Sequence, residues 1–284
     1  MPNFLDFIEI GTSDFDTEIQ KASDITKGIS IEPIQYYIDR LPNRANVSKL
    51  NIAISDFDGI STIYYTPEHI IQKYNLPDYV RGCNSVNTHH PVLIWQCHEK
   101  GLNIHDVMTS YSVPTKKLSS VFRDYNIDGV YYLKVDTEGH DPIILGQFFC
   151  DIQDNSKLPH IILFESNVLS NKSDINYIID CATKKGYDIV YSDINTQMRL
   201  NLHKVSREGK AFSYPCIGYY ICAEYSINYD PLNPPHANTL ESAMDYCAKN
   251  MNISVVYCDG RYEVRNGAYL VACNNNQCTT WILL

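Results

Sequence analysis

Unbroken apolar runs and widely spaced apolar stripes take turns along this chain, and each kind predicts a different element. Residues 4–10 form a compact apolar run, the pattern of a strand covered on both faces. Residues 17–27 space their apolar positions more widely and predict a helix closed by Gly28. Residues 28–32 return as a short strand that Pro33 breaks, 34–41 reads as a helix, and 50–55 makes a third strand. Over 61–111 the alternation fades. Pro67, Pro77 and Pro91 punctuate a stretch rich in Tyr, Asn and His, expected to hold a hairpin and loops rather than a regular crossover. The pattern resumes with a helix over 116–125 and a strand over 130–135. A short helix over 142–149 has Pro142 in its first turn; a strand at 160–164 and a helix at 175–185, ended by Gly186, follow. Two more strands are expected at 187–191 and 217–223.

This order predicts an α/β domain over residues 1–227: a mostly parallel, seven-stranded sheet with helices on both faces. Right-handed crossovers place every strand-to-helix turn at one edge of such a sheet, and a ligand belongs at that edge. The stretch NYDPLNPPH is a proline-rich break, with 228–235 expected to be a linker. Residues 236–284 read as a small α+β module: a short amphipathic helix in TLESAMDYC, then strands with turns at Asp259-Gly260 and Asn266-Gly267.

Composition narrows the function. The chain has 284 residues, 44% hydrophobic and 20% charged, as in ordinary globular proteins. Its net charge of -10 repels phosphate backbones, so nucleic acid is not expected as a partner. No window approaches the roughly 20 apolar residues of a membrane span. The start, MPNFLDFIEI, lacks a basic leader region, so a soluble, cytoplasmic protein without a signal peptide is expected. Of ten cysteines, Cys83, Cys97, Cys150, Cys181, Cys216 and Cys222 are scattered and read as free thiols. Cys247, Cys258, Cys273 and Cys278 cluster, and leave a disulfide of unspecified connectivity open.

Candidate chemistry begins in FIEIGTSDFDT, where an apolar run ends in a single glycine and then meets acids. Glu9 and Gly11 close the first strand, and Gly11 lets backbone approach a ligand. Glu32, at the end of the second strand, stands where an acid holds a ribose diol. Those features suit a dinucleotide or S-adenosylmethionine. Asp14 and Asp16 separate the two, because carboxylates within about 4–5 Å of a pyrophosphate cost on the order of 1–4 kcal/mol each. A cofactor that brings an ammonium and a sulfonium has no such conflict. The plain alternatives are that Asp16 caps the following helix, Asp14 is a solvated turn residue and Glu32 is a surface acid.

The block YLKVDTEGHDPIIL ends a buried strand in Asp136, Glu138, His140 and Asp141 around Gly139. It resembles the motif of FkbM-like methyltransferases, in which Lys-Ile-Asp-x-Glu-Gly follows the fourth strand. IEIGTSDFDT, ISIEP, NIAISDFDG and IILFE match in order, and together the pieces span about residues 4–225. The resemblance implies a Rossmann-like class I methyltransferase fold, S-adenosylmethionine as methyl donor, and O-methylation of an acceptor such as a sugar hydroxyl. Carried over, Glu9, Gly11, Thr12, Ser13, Asp14 and Thr17 would surround the methionine end. Glu32 would take the ribose beside Pro33 and Ile34. Ile54, Ser55 and Asp56 would sit by the adenine, and Asp136 and Glu138 near the transferred methyl. The first turn departs from the family in having Asp16 where a second glycine is common, and the family's customary helices before the first strand are missing.

Methyl transfer to a hydroxyl needs a base, and Asp136, Glu138 and His140 are the candidates, Asp136 first. A divalent cation on these acids is a further option but not the favoured one, since no ligand set is complete. Asn84, Ser85, His89 and His90 in GCNSVNTHHP are the candidate acceptor-binding residues, with a loop held by its own Asx-turns as the plain alternative. The C-terminal module looks loosely like small cysteine-containing PAN or apple-like modules, which would bind glycan or protein or mediate self-association; a structural cap on the sheet is the simpler reading. Two rival functions stay open: a nucleotide-dependent sugar oxidoreductase, and a glycan-binding protein that keeps the fold without catalysis.

Overall fold

The computed structural model describes residues 3–86, 88–205, 216–217, 219–221, 236–237, 239–249, 253–258, 260–273 and 278–283. The expected linker 228–235, Cys222 and Asp259 of the expected hairpin turn lie outside them. Strand β1 (Phe4–Ile10) leads through a one-turn helix α1 (Glu18–Lys21) to β2 (Gly28–Ile31), then through α2 (Gln35–Arg40) to β3 (Val47–Leu50). The helix expected over 17–27 is thus cut to four residues. Thr26 Oγ1 accepts a hydrogen bond from the Ser23 backbone N–H, offering the chain a local turn in place of another helical turn. Gly28 opens β2 rather than closing a helix, and a Cβ there would lie 2.4 Å from the Phe7 ring.

The predicted strand over 50–55 is two strands. Asn51 donates from Nδ2 to the carbonyls of Glu32 and Pro33 and turns the chain out of the main sheet. The chain continues as β4 (Ala53–Ser55), β5 (Gly59–Tyr65), α3 (Glu68–Lys73), β6 (Ser85–Val86), α4 (Pro91–Glu99), α5 (Ile104–Val107) and β7 (Thr109–Lys117). These strands form a second sheet in the order β4-β7-β5-β6, so residues 61–111 are far more regular than their composition predicts. Residues 116 and 117, expected in a helix, finish β7, and α6 (Leu118–Asp124) starts after them.

The main chain pattern then returns: β8 (Gly129–Val135), α7 (Asp141–Asp151), β9 (Ile161–Glu165), α8 (Lys172–Lys184), β10 (Tyr187–Ser192) and β11 (Asn195–Leu200). The seven-stranded sheet runs β10-β11-β9-β8-β1-β2-β3. Every neighbouring pair from β9 to β3 is parallel, while β11 is antiparallel to both its neighbours. Strand order reverses between β1 and β8: the chain builds outward to β3, then returns to the other side of β1. A crevice opens at such a switch point, beyond the C-terminal ends of the strands.

The expected strand at 217–223 lies elsewhere. Strands β12 (Cys216–Ile217) and β13 (Tyr219–Ile221) pair with the C-terminal part of the chain, where β14 (His236–Ala237), α9 (Leu240–Lys249), β15 (Ser254–Cys258), β16 (Arg261–Arg265), β17 (Leu270–Ala272) and β18 (Thr279–Ile282) follow. Five of these strands make a sheet in the order β12-β18-β15-β16-β14. Ile253, Val256, Leu270 and Ile282 of this C-terminal part belong to the same apolar cluster as Leu5, Ile8 and Leu133 of the main sheet. Tyr219 donates to Asp6 and Tyr269 to Asp188, both at 2.6 Å, and fasten the two parts at their polar margins. Among the described residues no helix is long and apolar enough to cross a membrane.

Candidate functional site

Three parallel strands end at the crevice, and their first turns are stitched together. Gly11 donates its N–H to the Ile31 carbonyl and Asp136 donates its N–H to the Ile10 carbonyl, each at 3.0 Å. Gly11 has φ +78, and a Cβ on it would stand 1.9 Å from the Asp136 carbonyl oxygen. Only glycine lets the β1 turn pass this close under the β8 turn. Ser13 and Glu138 take left-handed backbone at φ 45 and 55, conformations that cost non-glycine residues on the order of 1–3 kcal/mol and gather at binding sites. The surroundings impose both. Ser13 N–H donates to Glu32 Oε2 at 2.7 Å, and Ile34 N–H to Glu32 Oε1 at 2.8 Å. Glu138 Oε2 is held by His90 Nε2 at 3.1 Å.

These turns wall a cavity of about 700 Å³, counted out to its solvent mouth. Its apolar lining includes Pro33, Ile52, Ala53, Ile54, Ile63 and Val86. Its polar lining includes Ser13, Glu32, Asn84, Asp136 and Glu138, with Phe15 and Gly82 also on the wall. Among the described residues that line it there are three carboxylates and no Lys, Arg or His. Ser13 Oγ and Asn84 Oδ1 are buried there without a hydrogen-bond partner. Burial raises the Glu32 carboxyl to about 7, opposed by its two backbone hydrogen bonds and helped by Asp14. Asp136 is pushed up to about 6, first by burial and then by Asp141, against the pull of Lys134.

The expected site residues divide between this wall and the layer behind it. Gly11, Thr12, Ser13, Glu32, Pro33, Ile54, Asn84, Ser85, Asp136 and Glu138 line the cavity together. Glu9 does not: it is buried under the first turn, where it accepts from the N–H groups of Glu18 at 2.5 Å and Ile19 at 3.0 Å and from Ser30 Oγ. It takes the capping position that Thr17, buried and without a side-chain cap bond, leaves open. Asp14 also points away, into ion pairs with Arg40 at 2.7 Å and Arg81 at 3.4 Å, and Asp16 is an exposed partner of Lys21. The acidic lining therefore comes from Glu32, Asp136 and Glu138, not from the acids of the first turn. Ile34 supports Glu32 through its N–H only.

His140 is not in the cavity either. Its Nε2 lies 2.9 Å from Ser55 Oγ, which donates to Asp56 at 3.0 Å, so all three form one chain beside the site. Burial lowers the His140 ring below the ordinary histidine value. His89 packs edge-on against Tyr64, outside the wall. His90 is buried, and its Nδ1 accepts from Val92 N–H at 3.3 Å; that leaves the ring proton on Nε2, facing Glu138. Sequence reasoning missed Phe15, Ile52, Ile63, Gly82, Val86 and Thr137 on the wall. It also missed the role of Asp141, which is fully buried and straps the tips of β8 and β9 by accepting from Thr137 N–H, Thr137 Oγ1 and Glu165 N–H. Glu165 closes IILFE with an acid at a strand tip, the same signal as Glu32. Burial and then Glu138 raise it to about 8.

Among the described residues no group of three or more His, Cys, Asp and Glu is arranged to hold a metal ion. A family model described as the methyltransferase FkbM domain matches residues 9–189, more than half of the chain, from Glu9 in β1 into β10. No curated protein matches the chain.

Proposed function

Since the chain belongs to the FkbM methyltransferase family, we propose that it uses S-adenosylmethionine to methylate a hydroxyl of a sugar or glycan. One observation carries this reading: the cavity at the switch point collects three carboxylates and no cationic side chain. A pyrophosphate placed there would meet like charge, whereas an ammonium and a sulfonium would meet opposite charge. The shape agrees. The apolar wall of Pro33, Ile54 and Ile63 offers a flat adenine an apolar seat, and Glu32 stands where a ribose diol would donate to its remaining lone pairs. Ser13 Oγ and Asn84 Oδ1, buried and unpartnered, are free to meet the polar ends of a ligand.

The cofactor supplies a methyl already activated on a sulfonium. The protein's remaining tasks are to align the acceptor oxygen within about 3–3.5 Å and to take its proton. Asp136 is ionised at neutral pH because its value near 6 is raised but not beyond 7, and a base poised there serves a hydroxyl well. Glu138, pinned by the Nε2 proton of His90, holds a fixed direction at the rim, where it orients the acceptor or receives the ammonium. Asn84 and Ser85 extend the polar rim toward a polyol. Incubation with methyl-labelled cofactor and a panel of mono- and oligosaccharides tests the proposal. Label recovered as a sugar methyl ether supports it; label recovered only on nitrogen or on protein rejects the O-methylation.

A further inference from the structure

Strands β15 and β18 of the C-terminal sheet are antiparallel, with Val256 opposite Thr280 and Tyr257 opposite Thr279. One step further along the same register sets Cys258 opposite Cys278. Directly opposed residues of antiparallel strands hold their Cα atoms about 4.5–5.5 Å apart, inside the about 4.4–6.8 Å that disulfides span. The two sulfurs lie 2.8 Å apart, closer than unbonded sulfurs ordinarily pack, and Cys273 Sγ is 3.5 Å from Cys278 Sγ. Three thiols, one in β15, one just after β17 and one just before β18, thus converge on a point. Cys278 is buried, while Cys258 and Cys273 are half-buried.

We propose that Cys258 and Cys278 form a reversible disulfide across this sheet, made by exchange with a small disulfide such as oxidised glutathione, with Cys273 as the bystander thiol. Cys258 is the more accessible of the pair, and burial with two thiol neighbours holds Cys278 protonated well above the ordinary range. The more exposed Cys258 therefore attacks first: it loses its proton to solvent, its Sγ bonds to one glutathione sulfur and the other leaves as thiolate. Cys278 gives up its proton as its Sγ attacks Cys258 Sγ, and the second glutathione leaves as the thiol that takes that proton. In sum two protein thiols give up two protons and two electrons, and one oxidised glutathione becomes two reduced molecules. The bond closes a loop of about 20 residues that contains β16 and β17, and so restrains the sheet that packs on the main core.

The test uses the full chain, reduced and then exposed to oxidised glutathione, alkylated and digested with trypsin without reductant. The expected result is peptide 250–261 linked to peptide 266–284, reversed by dithiothreitol, with a Tm about 5 °C or more above the reduced protein. Cys273→Ser should keep the link. Recovery of peptide 250–261 with Cys258 alkylated would overturn the proposal, and so would loss of the link in Cys273→Ser. If Cys273→Ser fails to fold, fragmentation of the linked wild-type peptides decides between Cys273 and Cys278 as the bonded residue.

Discussion

Asp136 and Glu165 are two carboxyls at neighbouring strand tips with different consequences. Asp136, near 6, is ionised at neutral pH and lines the cavity. Asp136→Ala is expected to lower turnover by about 10²–10⁴-fold while cofactor affinity, measured by calorimetry, stays within about tenfold. Glu165 does not line the cavity, and its Oε2 is buried without a partner. Its folded value, about 8, lies above the ordinary 4.5. The native state therefore keeps a proton that the unfolded chain has already lost. The stability Glu165 contributes is full below about 4.5 and is lost as pH climbs toward 8. Glu165→Gln should become more stable than wild type by several °C in Tm as pH is raised from 5 to 8, with little difference at pH 5; a gap that stays constant over this range would contradict the sign. At this scale sequence was an uneven guide. Glu32, Asp136 and Glu138 are legible as acids at the ends of apolar runs, a signal that Glu9 shares although it caps α1 instead. Asp14 is not, because the guanidiniums that absorb it come from Arg40 and Arg81, far along the chain.

Among elements, the β1 and β8 turns carry the site, and Gly11 sets how closely they approach. Gly11→Ala forces a Cβ against the Asp136 carbonyl at a left-handed φ. It is expected to cost about 3 kcal/mol or more by chemical denaturation, and to weaken cofactor binding at least tenfold in whatever fraction folds. Unchanged stability would mean that the two turns stand further apart than described. The central strands were legible because strands buried on both faces read as continuous apolar runs. Strand β11 was not: NTQMRL buries only Thr196, Met198 and Leu200, and its polar alternates mimic a loop. The second sheet was hidden for a related reason. Its prolines fall at element starts, in Pro67 before α3 and Pro91 at the head of α4, where they are compatible with order.

Across the whole molecule, the C-terminal sheet is continuous with the main core rather than hung beside it. Ile282 is buried in the apolar cluster that includes Ile8 and Leu133. Ile282→Ala is expected to destabilise the protein by about 2–5 kcal/mol and to lower a single thermal transition. Two transitions, with only one moved by the substitution, would show that the C-terminal part folds independently. The return of 216–221 to the later strands is a long-range pairing that no local pattern announces.

The central claim is that the acid-lined crevice at the switch point takes a cationic methyl donor. Thermal shift of the full chain against S-adenosylmethionine, S-adenosylhomocysteine, NAD and NADP addresses it most directly. Stabilisation by the two adenosyl compounds, and by neither dinucleotide, is the predicted outcome. Stabilisation by NAD or NADP with no response to S-adenosylmethionine would contradict it.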